Sequence, residues 1–470
     1  MTFRINPLLQ TDSYKASHFE QYPPTLQRLS AYIESRGGAF EQVVFFGLQA
    51  LIKDHLLTPI TQDDIEEAES LFRAHGLVFH RQGWQAVVDE FGGHWPLTIE
   101  AVPEGTVMPP RQVQVQVTSA PGFAWLTTYI ETVLLRGVWY PSTVASLSRR
   151  AKELIKAGLD KTSDHPDDEL PFKLHDFGAR GATSAQAAML GGMAHLVNFL
   201  GTDTVEALVG ARHYYHEPMA GFSIPASEHS TITSWTEASE LEAFSHLLDR
   251  FPAGLVACVS DSYDIHHAVN DLWGRALRER VLERDGTLVV RPDSGDPTTT
   301  PLDVIESLMA AFGHHVNTKG YRVLPSQVRV IQGDGMNLAT IEQLINNAIG
   351  RGLSVDNFAM GMGGGLLQKL DRDTCRYAMK ANAVDFGHGW VDIQKKPTGD
   401  ASKTSKKGRL ALIHEHGQWR TIAESHWQAM GENRPHNHLQ IVYQNGTLLV
   451  DQTLSEIRKR AQIAAPHTPR

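Results

Sequence analysis

The sequence predicts an α/β protein: a (β/α) barrel of the TIM type, with a flanking α+β domain built from the N- and C-terminal segments. Three observations carry this. Between about residues 172 and 370, a short apolar run, a polar or glycine-rich turn and a helix-like stretch recur seven times, the alternation that builds a parallel sheet. Nearly every one of those turns carries groups able to do chemistry. That suits a barrel, whose functional groups gather at many strand ends, better than the competing open doubly wound sheet, whose ligands sit at one switch point. The 470 residues also suffice for a barrel of about 250 residues and a second domain.

The seven turns fall at residues 175–178, 201–203, 226–229, 260–262, 291–295, 333–335 and 361–365, which leaves one strand of an eight-stranded barrel unplaced. Before the barrel, residues 97–117 alternate apolar and polar in strand fashion around Pro103-Glu104-Gly105, and residues 124–155 read as helices broken at Pro141. After it, residues 409–422 read as strands, Asn445-Gly446 marks a two-residue hairpin, and an amphipathic helix begins at Ser455. The expected boundaries are 1–150 for the N-terminal α+β segment, 151–384 for the barrel and 385–470 for a C-terminal segment packing with the first.

Composition narrows the function. A net charge of −10 provides no basic field of the kind duplex nucleic acid attracts, so an anion site must be built locally, which points to small substrates. The two cysteines, Cys258 and Cys375, have neither metal nor redox spacing. The first residues lack the apolar core of a secretory signal and no run of about 18 apolar residues occurs, so a cytoplasmic protein without a membrane partner is expected.

The best anion site is Gly361 to Gly365, between the apolar run Phe358-Ala359-Met360 and a helix start, with Gly333-Asp334-Gly335 as the neighbouring loop. Glycine N–H groups at a helix start approach a phosphate closely, although a tight turn also asks for glycine. A dinucleotide fingerprint would need a third glycine where Leu366 stands. Asp176-Phe177-Gly178 matches a kinase triplet, but no kinase lysine strand or HRD loop precedes it. Phe177 and Arg180 offer a stacking face beside a cation, or alternatively a core ring and a surface arginine. Arg291 stands two residues from Asp293, as recognition of a phosphorylated sugar requires. Asp261, Asp293 and Asp334 are candidates for Mg²⁺, or else helix caps. His229 stands out among 23 histidines because it ends an apparent strand. The paired histidines elsewhere lack a third ligand. Residues 395–409, KKPTGDASKTSKKGR, form a solvated loop or a basic lid.

The ordered segments TDSYK (from Thr11), HDFGARG (His175), GTDT (Gly201), EHSTIT (Glu228), SDSYDI (Ser260), RPDSG (Arg291), VIQGDG (Val330), GGGLLQKL (Gly363) and SKKGRL (Ser405) together resemble the nicotinamide phosphoribosyltransferases. These are type II phosphoribosyltransferases, related to nicotinate phosphoribosyltransferase. The resemblance spans nearly the whole chain and implies transfer of phosphoribosyl from phosphoribosyl pyrophosphate to nicotinamide, giving nicotinamide mononucleotide and pyrophosphate. The alternative is nicotinate as acceptor.

By resemblance, Phe177 and Tyr14 sandwich the pyridine, Tyr14 coming from the partner of a homodimer. Asp203 accepts from the carboxamide, with Arg180 and Asp12 nearby. Arg291, Asp293, Gly333, Asp334, Gly363, Gly364 and Ser262 handle the sugar and phosphate. Arg36, Arg372, Lys380, Lys395 and Lys403 match phosphate-handling positions, some supplied across the dimer. Mg²⁺ at Asp293 and Asp334 is implied as cofactor and ATP as co-substrate, with His229 accepting a phosphoryl group and Asp261 supporting it. Ala378 departs from the family's serine, which removes a candidate phosphate hydrogen bond. A phosphosugar aldolase or isomerase would want a strand-end lysine, and Lys173 precedes its turn by several residues.

Overall fold

The computed structural model describes residues 5–399 and 404–463. They form two compact units: residues up to Ser146 with His213–Glu217 and Asp371–Gln462 in one, Leu147–Arg212 with Pro218–Leu370 in the other.

The second unit is an open, curled parallel sheet. Its strands run in the order Gly201–Thr202, Leu174–Asp176, Phe358–Met362, Val328–Gln332, Asp285–Arg291, Ala253–Val259. Residues 222–227 span the gap between the two outer strands, through parallel bridges Gly201 to Phe222 and Ala226 to Ala257. Thr202 N–H donates to the Phe222 carbonyl at 3.0 Å, and Ala257 N–H to Pro225 at 2.9 Å. Pro225 has no N–H to give, so this stave cannot carry a full ladder. Six strands and this segment account for the seven repeats, and no eighth stave is found among the described residues. Inward-facing Ala257, Val289 and Ile331 form a small buried cluster, against which Phe177, Ile224 and Ala359 pack. Outside, several helices begin at side-chain caps. Asn337 accepts from the N–H groups of Ala339 and Thr340 at the start of Leu338–Gly350.

The first unit holds a seven-stranded antiparallel sheet in the order Trp390–Asp392, Tyr377–Asp385, Arg28–Ser35, Val113–Ser119, Leu97–Ala101, Gln440–Gln444, Thr447–Leu448. Tyr377–Asp385 pairs along its length with Arg28–Ser35, so residues 371–384 belong to this unit rather than, as expected, to the barrel. The Asn445-Gly446 hairpin forms with φ of 44° and 90°, the left-handed pair such a turn demands. Pro141 does not break its helix, which runs from Glu131 to Thr162. The lost hydrogen bond is outweighed locally by packing: Val138, Val144 and Ala145 are fully buried, and Ser142 accepts from the Phe46 N–H at 3.0 Å.

Residues 213–217 interrupt the second unit because a buried carboxylate ties them into the first. Glu104 accepts from the N–H groups of Gly47 (3.1 Å) and Gln49 (2.6 Å) and from the Tyr215 hydroxyl (2.9 Å). Burial raises its pKa despite those donors. Replacing Glu104 with Ala strands three buried donors and is expected to cost about 3–5 kcal/mol. Urea unfolding followed by fluorescence should show a lowered midpoint, with Glu104→Gln intermediate.

Candidate active site

Phe177, Arg180, Asp203, Arg291, Asp293, Gly333, Asp334, Gly363 and Gly364 line one cavity of about 1270 Å³ at the strand ends, whereas His229, Asp261 and Ser262 are not part of its lining. Its floor is the Phe177 ring. A Cβ on Gly361 would collide with that ring, and one on Gly333 would lie 3.3 Å from it, so two glycines make the seat. The Phe177 N–H donates to the Met362 carbonyl at 3.0 Å, fixing the turn to the neighbouring strand.

Asp203 ends the next strand. Its N–H donates to the Asp176 carbonyl at 2.9 Å, and one carboxylate oxygen accepts from the Ser223 hydroxyl. The other oxygen is left for a ligand donor. Arg180 is exposed in a short turn at Ala179–Gly181 and lines the same cavity. Gly363 to Gly365 open a short helix, Gly364–Leu367, and a Cβ on Gly364 would meet only open space. With Gly333, Asp334 and Lys369 they make a lining rich in N–H groups, suited to phosphate.

Arg291 ends its strand and donates to Asp293 at 3.0 Å, while its Nε–H makes no protein hydrogen bond. His229 opens a short helix after Glu228, with Nδ1 3.3 Å from the Ser262 hydroxyl and Nε2 3.8 Å from Asp293 and 3.9 Å from Asp261. Those separations lie within ion-pair reach but outside hydrogen-bond length. Asp261 uses one oxygen on the Ser294 N–H at 2.7 Å, and its other, buried oxygen has no hydrogen-bond partner.

Asp261, Asp293 and Asp334 do not close into a three-carboxylate cage. Among the described residues no three His, Cys, Asp or Glu side chains converge tightly enough to hold a metal alone. Asp293 and Asp334 line the cavity together. That donor set suits a hard cation taking the rest of its shell from water and a phosphorylated substrate.

The remaining candidates lie in the first unit. Arg36, Arg372 and Lys395 gather around Lys380, whose pKa is lowered by burial foremost and then by those three cations, against the opposing pull of Glu131. One buried guanidinium nitrogen of Arg36 has no hydrogen-bond partner. Cations gathered this way suit an anion with several charges. Tyr14 is 58% exposed and Asp12 accepts from the Thr132 hydroxyl at 2.6 Å. Lys403 lies outside the described residues. In the basic stretch, Ser405 N–H donates to the Lys395 carbonyl at 3.0 Å, and Lys406 pairs with Glu34.

Two residues had no role assigned from the sequence. Ser223 holds Asp203, but lies 20 residues away with no motif of its own. His175 lines the cavity beside Asp203, its pKa lowered by burial. The cavity also continues to the far end of the strands, where buried Lys173 pairs with Glu169 at 2.8 Å and donates to the Asp356 carbonyl at 3.1 Å.

Comparisons with known proteins match this geometry to a family. Residues 172–447 match the nicotinate phosphoribosyltransferase (NAPRTase) family, and residues 6–99 match the nicotinamide phosphoribosyltransferase N-terminal domain. The chain is 48% identical to a nicotinamide phosphoribosyltransferase of Xanthomonas campestris, over 99% of this chain and 100% of that protein. It is 31% identical to one from Acinetobacter baylyi, over 98% of each. Among solved structures, a nicotinate-nucleotide pyrophosphorylase from Pyrococcus furiosus superposes with a TM-score of 0.60 at 16% identity, covering 98% of this chain and 96% of that one. Human nicotinic acid phosphoribosyltransferase gives 0.56 at 17%, covering 96% and 93%. At such identities these two speak for the fold alone.

The seat of Phe177 predicts a specific coupling. Gly361→Ala should cost about 1–3 kcal/mol by overpacking, and most of that cost should vanish in a Phe177→Ala background. Urea unfolding of the four variants tests this, and strictly additive costs would place the ring elsewhere.

Proposed function

The chain belongs to the nicotinate phosphoribosyltransferase family, and on that premise we propose that its cavity transfers phosphoribosyl from phosphoribosyl pyrophosphate to nicotinamide, yielding nicotinamide mononucleotide and pyrophosphate in NAD salvage. The observation that carries this is the shared lining. A glycine-seated ring, a half-satisfied carboxylate, a strand-end arginine and a triple glycine face one space.

The pyridine nitrogen already has a lone pair, so attack on the anomeric carbon needs no base. The barrier lies in separating diphosphate from a ribose that becomes oxocarbenium-like, so fixed charge and alignment do the catalysis. Phe177 stacks the pyridine. Asp203, steadied by Ser223, accepts from the carboxamide NH₂ and repels the carboxylate of nicotinate, which selects by exclusion as well as attraction. Arg180, Arg291 and the glycine N–H groups receive the phosphates. Asp293 and Asp334 would hold Mg²⁺, which supplies positive charge to the departing diphosphate.

We further propose that ATP phosphorylates His229. With its proton on Nε2, the edge facing Asp261 and Asp293 at ion-pair distance, His229 has the Nδ1 lone pair free to attack the γ-phosphorus, with ADP as leaving group. Tyr14, Asp12 and the cations Arg36, Arg372, Lys380, Lys395 and Lys403 are assigned to a site completed by the second copy of a homodimer. The clustering of Arg36, Arg372 and Lys395 about Lys380, with one buried Arg36 nitrogen lacking a partner, supports that assignment. We also propose a cytoplasmic location, which would supply the phosphorylated substrates this reading requires.

Mass analysis of products from nicotinamide, phosphoribosyl pyrophosphate and Mg²⁺, with and without ATP, tests the whole reading; absence of nicotinamide mononucleotide would falsify it. Phe177→Ala should raise KM for nicotinamide roughly tenfold, the worth of a lost stack, with little change in KM for phosphoribosyl pyrophosphate. Asp203→Asn should gain nicotinate activity in a competition assay. His229→Ala should lose ATP stimulation while retaining the uncoupled reaction.

A further inference from the structure

Asp176 is fully buried, lies directly before Phe177 in the chain and touches both halves of the pyridine pocket, yet no step of the transfer uses it. Its Oδ1 accepts from the Gly178 N–H at 2.8 Å, closing the turn that presents Phe177. Its backbone carbonyl receives the Asp203 N–H at 2.9 Å. The second carboxylate oxygen makes no hydrogen bond of ordinary length. Beside it stands the Thr204 hydroxyl, itself without a hydrogen-bond partner of ordinary length, which favours the charged form. A Cβ on Gly192 would come 3.1 Å from that oxygen, so the helix Ala185–Leu196 offers it bare backbone.

We propose that Asp176 is a positioning residue for the acceptor pyridine: its ionised carboxylate braces the Phe177 turn and the neighbouring Asp203 strand end, so that nicotinamide is held less tightly once that carboxylate takes up a proton. This rests on the reading of the cavity as a nicotinamide site. A carboxylate accepts an N–H hydrogen bond about twice as strongly as a neutral acid does, so protonation slackens the Gly178 contact that fixes the turn. The charged groups facing Asp176 are Asp203, at the end of the adjoining strand, and Glu206, in the first turn of the helix Val205–Tyr215. Strand Phe358–Met362 pairs Met362 with it, and Leu367 packs on Gly178. Burial foremost, and then these two like charges, raise the Asp176 pKa to about 6 against the pull of Gly178 and Thr204. Above that value the brace is charged; as pH falls through it the brace weakens.

The experiment is the pH dependence, between 5 and 8, of both Michaelis constants in the intact enzyme and in two variants. In the parent enzyme, KM for nicotinamide should climb about tenfold toward pH 5, while KM for phosphoribosyl pyrophosphate does not follow the same curve. Thr204→Val keeps shape but removes the supporting hydroxyl, so the climb should begin at higher pH. Asp176→Asn should raise KM for nicotinamide at every pH and flatten the climb. If Thr204→Val leaves the climb where it was, or the parent shows none, the positioning role is overturned even though turnover of nicotinamide persists. A parent enzyme that never converts nicotinamide instead removes the underlying assignment. Should Asp176→Asn fail to fold, the Thr204→Val comparison still decides.

Discussion

The site depends on a missing atom: Gly361 has no Cβ, and the Phe177 ring occupies the volume where one would lie. A protein interior is packed too densely for both to fit. That exchange brings an aromatic face from one strand end over the backbone of its neighbour and joins the small inner cluster of Ala257, Val289 and Ile331 to the floor of the pocket. Stiffness of the sheet is thereby conveyed to the ring. Gly178 is constrained in the same way, since a side chain there would run into Leu367 and the Asp176 carboxylate.

Charge is distributed with similar economy. The chain carries ten more acids than bases, yet both regions suited to anions are positive or rich in N–H groups. In the barrel unit that character comes from glycine backbone and strand-end arginines, and in the flanking unit from Lys380 and the three cations gathered round it. Lys380 tolerates partial burial among like charges because Glu131 offsets part of the repulsion. Such an arrangement raises local potential without making the whole surface basic.

Much of this was legible in the residues. The recurrence of apolar run and functional turn located every stave, and Asn445-Gly446 located its hairpin, because these signals are local. What escaped depended on partners far along the chain. The expected barrel boundary at residue 384 took in most of Tyr377–Asp385, and only its ladder with Arg28–Ser35 assigns that strand elsewhere. Pro141 carries a strong local signal for a break, overridden by the packing of Val138 and Val144. Asp261, Asp293 and Asp334 share a motif-like look, but among the described residues they do not converge closely enough to make a cage. Ser223 carried no motif, and Asp176 lay within one that says nothing of its role, because both roles exist only where two strand ends meet.

The ladder between Arg28–Ser35 and Tyr377–Asp385 has a consequence for biogenesis. At about 5–20 residues per second, the ribosome needs roughly 20 to 70 s to make the chain separating the two partners. For that interval the early strand has one edge without its native neighbour, next to apolar Leu29, Ala31 and Ile33. Unpaired edges of this kind recruit other chains. Nascent molecules are therefore exposed to aggregation until translation is nearly complete, and their yield in cells should depend on chaperone supply more than the stability of the finished fold would suggest.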